Sequence, residues 1–160
     1  MAEPKPKPIQ GRLGFDDPDI KKPAHDEMIK WLDANIEDIL MVVQTLPTRP
    51  KGVRTKWQPL VQMKAKDGQF IGFADLIAFQ SLNDLNSPPI LFEALVTIES
   101  LGMLFRRLRM FQAGYAEDWH VSKMKFVVVC PDDTEAQTIR EQGFYFLKYD
   151  PKMPFPAGGV

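Results

Sequence analysis

Two acidic side chains stand where the surrounding residues give an acid little reason to be. Asp75 interrupts the apolar run GFADLIAF, and Glu93 interrupts the run ILFEALV. A carboxylate inside a buried strand is expensive to desolvate unless it is paired, protonated or bound to a cation. If the two strands are neighbours in register, the carboxylates can converge on one divalent ion, and oxygen donors suit Mg2+ or Mn2+. An arginine partner or a loop backbone amide would satisfy the same acids equally well, and spacing alone does not choose.

Other reactive residue types are more scattered. His25 and His120 have no Cys or His partner at metal-ligand spacing. His25, beside Asp26 and Glu27, either lines the mouth of the carboxylate site or, the commoner use, stands in solvent at a helix start. Cys130 follows a valine-rich run and reads as a small buried hydrophobe. Asp132 and Asp133 suit a helix N-terminus. Met28, Met103 and Met110 fall at helical spacings that predict core filling. The sequence contains no Gly-rich phosphate loop and no dinucleotide fingerprint.

Net charge is −1, so no global field draws the chain to nucleic acid. Locally the charge is uneven. Arg49, Lys51, Arg54, Lys56, Lys64 and Lys66 follow one another with no acid between them, and Arg106, Arg107 and Arg109 form a second cluster. Such patches either neutralise phosphates or form a solvated basic face balanced elsewhere.

The elements that must position these groups follow from apolar periodicity. Met28, Leu32, Ile36, Ile39 and Val43 predict a helix from about Ala24 to Thr45, ended by Pro47 and Pro50. A mixed segment from Val53 to Met63 reads as a strand that Pro59 places at an edge or bulge. Asp67-Gly68 signals a hairpin turn into QFIGFADLIAF, a strand buried on both faces. SLNDLNSPP is a loop, and ILFEALVTI a third strand. Leu101, Leu104, Phe105, Leu108, Phe111 and Tyr115 give one apolar side to a helix over Glu99 to Tyr115, with Arg106 and Arg109 on another side. KFVVVC, then a turn, helix and glycine stop over PDDTEAQTIREQG, then FYFLKYD complete the series. The order predicts a mixed sheet with helices on both faces.

The chain of 160 residues has 44% hydrophobic and 26% charged residues, the composition of one globular domain. The single cysteine excludes an internal disulfide and fits a reducing cytosol. No apolar run is long enough to cross a membrane, and residues 1–14 lack the apolar stretch of a secretory signal. A cytoplasmic protein is expected. Residues 1–23, rich in Pro and Lys, predict an extended or disordered arm that can dock through Ile9, Leu13 and Phe15. The domain is expected over 24–150 and a loose tail over 151–160.

Taken in order, these segments resemble the PD-(D/E)XK, or restriction-endonuclease-like, nucleases over roughly residues 24–150. HDEMIKWLDAN is similar to the first helix of that superfamily, where some branches place a metal-binding Glu, here Glu27. FIGFADLIAF resembles the strand carrying the motif Asp, here Asp75. ILFEALVTIESLGMLFRRLRMFQ looks like the strand bearing Glu-x-Lys and the helix after it, with Glu93 at the Glu. KFVVVCPDD and REQGFYFLKYDP resemble the closing strand, helix and strand. The resemblance implies an α/β core of order α-β-β-β-α-β-α-β, a mixed central sheet with flanking helices. It also implies a metal set of Glu27, Asp75 and Glu93 holding Mg2+ or Mn2+, and phosphodiester substrates.

The departures bear on activity. Leu95 stands where the family's lysine belongs, and leucine can neither orient an attacking water nor stabilise charge on phosphate. Arg107 replaces a frequent Gln, and Phe111 a Tyr. Three readings follow. One is a pseudonuclease that binds DNA, or less readily RNA, without cutting. Another is an active endonuclease whose cation is relocated: Asp75 and Glu93 are then catalytic together with Arg106 or Arg107, with Lys56 or Lys64 as the next candidates. The third is a likeness of fold only, with the carboxylates put to another use; the competing class is a scaffold subunit that uses the arm and exposed aromatics such as Trp31, Trp57 or Trp119 to hold a protein partner. Nucleic-acid contacts are expected from Arg54, Lys56, Lys64, Arg106, Arg107 and Arg109.

Overall fold

A computed structural model describes residues 23–44, 48–57, 61–64, 70–79, 89–115 and 125–152. The arm up to residue 22 and nearly all of the tail thus lie outside the described residues, as do Trp119, His120 and the Asp67-Gly68 turn, while Pro23 opens the first helix.

The N-terminal apolar stripe forms two helices where one was expected: α1 (Pro23–Ala34) and α2 (Ile36–Val43). The break falls at Asn35, whose side-chain amide donates to the Trp31 carbonyl at 2.8 Å, competing for a helix acceptor. Met28, Leu32, Ile36, Ile39 and Val43 are nevertheless all buried, because both helices lie on one face of the sheet.

The expected strand over Val53 to Met63 is also two: β1 (Arg54–Lys56) and β2 (Val61–Lys64). QFIGFADLIAF likewise divides into β3 (Phe70–Ala74) and β4 (Leu76–Phe79), with a bend at Asp75. β2 and β3 pair antiparallel as a separate two-stranded sheet. β4 joins the main sheet, ordered β1-β4-β5-β6-β7, with β5 at Ile90–Ala94, β6 at Lys125–Cys130 and β7 at Tyr145–Lys148. β1, β4 and β5 run antiparallel, while β5, β6 and β7 run parallel. The parallel steps need crossovers, which are supplied by α3 (Leu101–Tyr115) and α4 (Ala136–Glu141).

Strand alternation divides the core between two faces. Ile77, Leu91, Phe126, Val128 and Phe146 pack with Leu104, Leu108 and Phe111 of α3 and Ile139 of α4. Leu76, Ala78, Ile90, Phe92, Val127 and Val129 pack with α1 and α2. Every residue of β5 is buried, as expected of a central strand covered on both faces. The mixed sheet with flanking helices is the predicted fold class.

Helix ends follow local chemistry. Ser100 Oγ accepts the Met103 amide, so α3 begins at Leu101 rather than Glu99. β5 stops at Ala94, short of the expected ILFEALVTI. Asp132 takes the Thr134 amide and hydroxyl in the turn before α4 rather than in its first turn. After α4, Gly143 at φ 89° makes the left-handed stop, with the Phe144 amide reaching the Ile139 carbonyl.

Several packing expectations are corrected. Met103 and Met110 lie on the outer side of α3, 52% and 39% exposed, and of these three methionines Met28 alone fills core. Trp31 and Trp57 are partly buried against the α1 and α2 cluster, and Trp31 meets the Tyr149 ring edge-on. Cys130 is fully buried, and burial pushes its thiol up, an effect that a hydrogen bond from the Asp132 backbone partly offsets and the Asp132 charge slightly reinforces. Iodoacetamide is therefore expected to leave Cys130 unmodified at pH 8 in the folded protein, while consuming it in urea; equal rates would contradict its burial.

Among the described residues, no helix is long and apolar enough to cross a membrane.

Candidate functional site

The bend at Asp75 explains how an acid comes to sit between two apolar strands. Leu76 opposes Phe92 in the β4–β5 ladder, and the chain leaves the ladder one residue earlier. The Leu95 amide donates to Val129 in β6, so by alternation the Ala94 amide faces the β4 side. There the ladder carbonyl is missing, and Asp75 Oδ2 accepts the Ala94 amide at 2.8 Å instead. The other oxygen, Oδ1, lies 3.0 Å from Nε2 of His25 in the first turn of α1. This is a close approach rather than an aligned hydrogen bond. His25 is 4% exposed, so the expectation of a solvent histidine is corrected.

Glu93 has the strand parity of Leu91, whose side chain belongs to the α3 face. It is fully buried, and its Oε2 lies 3.5 Å from Nη2 of Arg107 on α3. The same guanidinium donates to the Phe73 carbonyl in β3 and lies 5.5 Å from the centroid of the Phe111 ring. Arg107 therefore ties α3 to both sheets. Leu95 packs, partly buried, against the α3-side core.

The remaining residues singled out from sequence are dispersed. Glu27 is exposed on α1, about 200° around the helix from His25 by the helical repeat. Its charge acts instead on Tyr149, whose hydroxyl is pushed up first by burial and then by Glu27. Arg106 is exposed, one residue from buried Arg107. Arg109 is held by the Gln142 side chain at 3.1 Å and lies over Phe144. Arg54 and Lys56 are exposed on edge strand β1, with Arg54 over the Phe79 ring and Thr55 between them bonded to Asp33 of α1. Lys64 ends β2. Arg49 pairs with Glu37 and Asp38 of α2 at 3.4 and 3.3 Å.

These side chains do not fit a divalent metal. A hard ion wants about six oxygen ligands. Among the described residues, no three His, Cys, Asp or Glu side chains come together to hold one. Each buried acid is instead set against a basic side chain. The signal that sequence reading underused was His25, whose partner Asp75 is remote in the chain.

The fold so defined is a mixed α/β sheet with a first helical layer and a crossover helix behind the Glu-bearing strand. In particular, the chain is similar in structure to a repair endonuclease from Pyrococcus abyssi, with a TM-score of 0.51, 14% identity, and coverage of 82% of this chain and 49% of that one. A second likeness, to an EndoMS-dsDNA2 complex, has a TM-score of 0.49 and 17% identity over 96% of this chain and 51% of that one. The chain thus spans about half the length of each of these solved chains. No protein-family model and no curated protein sequence matches it.

Proposed function

We propose that the chain is a nucleic-acid-binding module on a PD-(D/E)XK-like nuclease fold, acting on DNA rather than RNA and not cutting it. The observation that carries the non-cutting part is the pairing of both buried acids with basic groups, Asp75 with His25 and Glu93 with Arg107. An acid occupied in this way is a poor ligand for Mg2+ or Mn2+, and Leu95 supplies no replacement for the family's lysine. Support for DNA comes from the fold likeness to a protein described as a repair endonuclease. Exposed Arg54, Lys56 and Arg106 offer contacts to phosphate.

The test is fluorescence anisotropy of a labelled duplex across a salt series. Binding is expected to fall steeply between about 50 and 200 mM salt, and Arg106→Ala to weaken it on every sequence and reduce the log–log slope by about 1. Salt-independent binding, or none, removes the nucleic-acid reading.

One observation favours a second reading. Arg107 lies beside Glu93, where a relocated cation of an active endonuclease would be. Guanidinium stabilises phosphate charge but exchanges protons poorly near neutral pH. Cleavage of supercoiled plasmid in Mg2+ or Mn2+, abolished by chelator and by Asp75→Ala, would establish it. A scaffold subunit loses support from the partial burial of Trp31 and Trp57.

A further inference from the structure

We infer that the outer face of α3 is a docking surface for the chain's own acidic segment over residues 13–20, which when docked covers Arg106. The docking stands by itself, and its effect on DNA rests on the nucleic-acid reading above.

The face consists of what the helix leaves outside. Met103, Arg106, Met110 and Ala113 are all exposed, and at the helical repeat they fall within an arc of about 80°. Met103 and Met110 are the large apolar side chains that the described residues expose, and they stand about one turn to either side of Arg106. Exposed methionines on one helix face make adaptable docking groups. The charge on the helix is of one sign, since α3 carries three arginines and no acid. Arg107 is buried beside Glu93 and Arg109 is held by Gln142, so Arg106 is the cation that this face offers.

A fitting occupant sets apolar side chains against the methionines and an acid against the arginine. Residues 13–20, LGFDDPDI, have that chemistry: Leu13, Phe15 and Ile20 accompany Asp16, Asp17 and Asp19, with no basic residue among them. The segment is attached nearby, ending three residues before α1 begins at Pro23. His25 in the first turn of α1 lies 3.0 Å from Asp75, and the carbonyl of Phe73, two residues from Asp75, accepts from Arg107 of α3. Only those few side chains separate the start of α1 from α3, and the stretch from Pro23 back to Phe15 can span up to about 29 Å.

Other occupants fit the face less well. A second copy packed isologously on the same stripe would bring Arg106, at its centre, against its own equivalent. Phosphate matches the arginine but leaves both thioether side chains without a counterpart. The acidic segment answers both, and once seated it places carboxylates over one of the exposed residues proposed to touch DNA.

Paramagnetic relaxation in the full chain tests the docking. The nitroxide is carried by Ala113→Cys at the exposed end of the stripe, while buried Cys130 stays unlabelled. Amide signals of residues 13–20 are expected to be strongly dimmed. They should recover when Met103→Ser and Met110→Ser are combined, and again when Asp16→Asn, Asp17→Asn and Asp19→Asn are combined. Signals that are never dimmed, or dimming that survives both sets of substitutions, overturn the inference. So does equal dimming by a nitroxide on a second, separately labelled copy, which would give the face to another chain.

Fluorescence anisotropy with a labelled duplex reads the consequence. The Met103→Ser, Met110→Ser pair adds no charge, yet by releasing the segment it is expected to tighten duplex binding about fivefold, the gain for an arm docked about four-fifths of the time. Unchanged or weaker duplex binding overturns the covering of Arg106. If neither protein binds duplex, the nucleic-acid reading fails and the relaxation measurement alone decides the docking.

Discussion

Arg107→Ala lowers the unfolding free energy by about 3–5 kcal/mol, the usual cost of breaking a buried ion pair from one side. The substitution strands Glu93, which is fully buried, and removes the donor that Arg107 gives to the Phe73 carbonyl of the smaller sheet. It also takes the guanidinium from beside the Phe111 ring. The control is the next residue. Arg106 is exposed, and Arg106→Ala should change stability by no more than about 0.5 kcal/mol while weakening DNA binding. Urea unfolding of the two variants side by side reads the difference. If both shift the midpoint equally, Arg107 is not the pin between α3 and the two sheets.

Asp75→Ala is expected to cost about 2–4 kcal/mol. The loss of an acceptor for a buried amide accounts for roughly 1–3 kcal/mol, and the remainder comes from His25, left buried without its acidic neighbour. Asp75→Asn separates the two parts. Its amide oxygen can still accept from Ala94, so it should recover most of the first loss and little of the second. Hydrogen exchange at the Ala94 amide gives a residue-level reading: much faster in Asp75→Ala, near the unaltered rate in Asp75→Asn. Equal exchange in all three proteins would mean that the 2.8 Å bond to Ala94 does not close the end of the β4–β5 ladder.

The sheet, its helical layers and the order of the elements were legible because β4, β5 and β6 are mainly apolar runs, β5 broken only by Glu93, separated by polar connections. The joints were not. The stripe from Met28 to Val43 keeps its spacing across Asn35, so periodicity cannot show that the helix restarts there. Ala74 and Leu76 are both buried, and neither Gly nor Pro adjoins Asp75. The change of sheet inside GFADLIAF thus leaves no mark except the acid itself.

Asp75 and Glu93 could be singled out for the same reason that they matter, the cost of burying an acid. The alternatives named from sequence, an arginine partner and a backbone amide, describe the contacts they make. Which basic residue serves each was not readable. Arg107 differs from Arg106 and Arg109 only in the direction its position takes around α3, and His25 reaches Asp75 only after α1 is laid on the sheet.

That last contact carries a consequence for the order of assembly. Glu93 and Arg107 are joined by a short connection through the start of α3, whereas His25 and Asp75 are separated by both N-terminal helices and three strands. Closing the longer loop costs about 1 kcal/mol more in chain entropy. The Glu93 contact can therefore form within a compact fragment of the chain. The Asp75 contact must wait until α1 has been gathered in from far away along the polypeptide. The two acids share a neighbourhood in the finished molecule but differ in how much chain must be gathered to complete each contact.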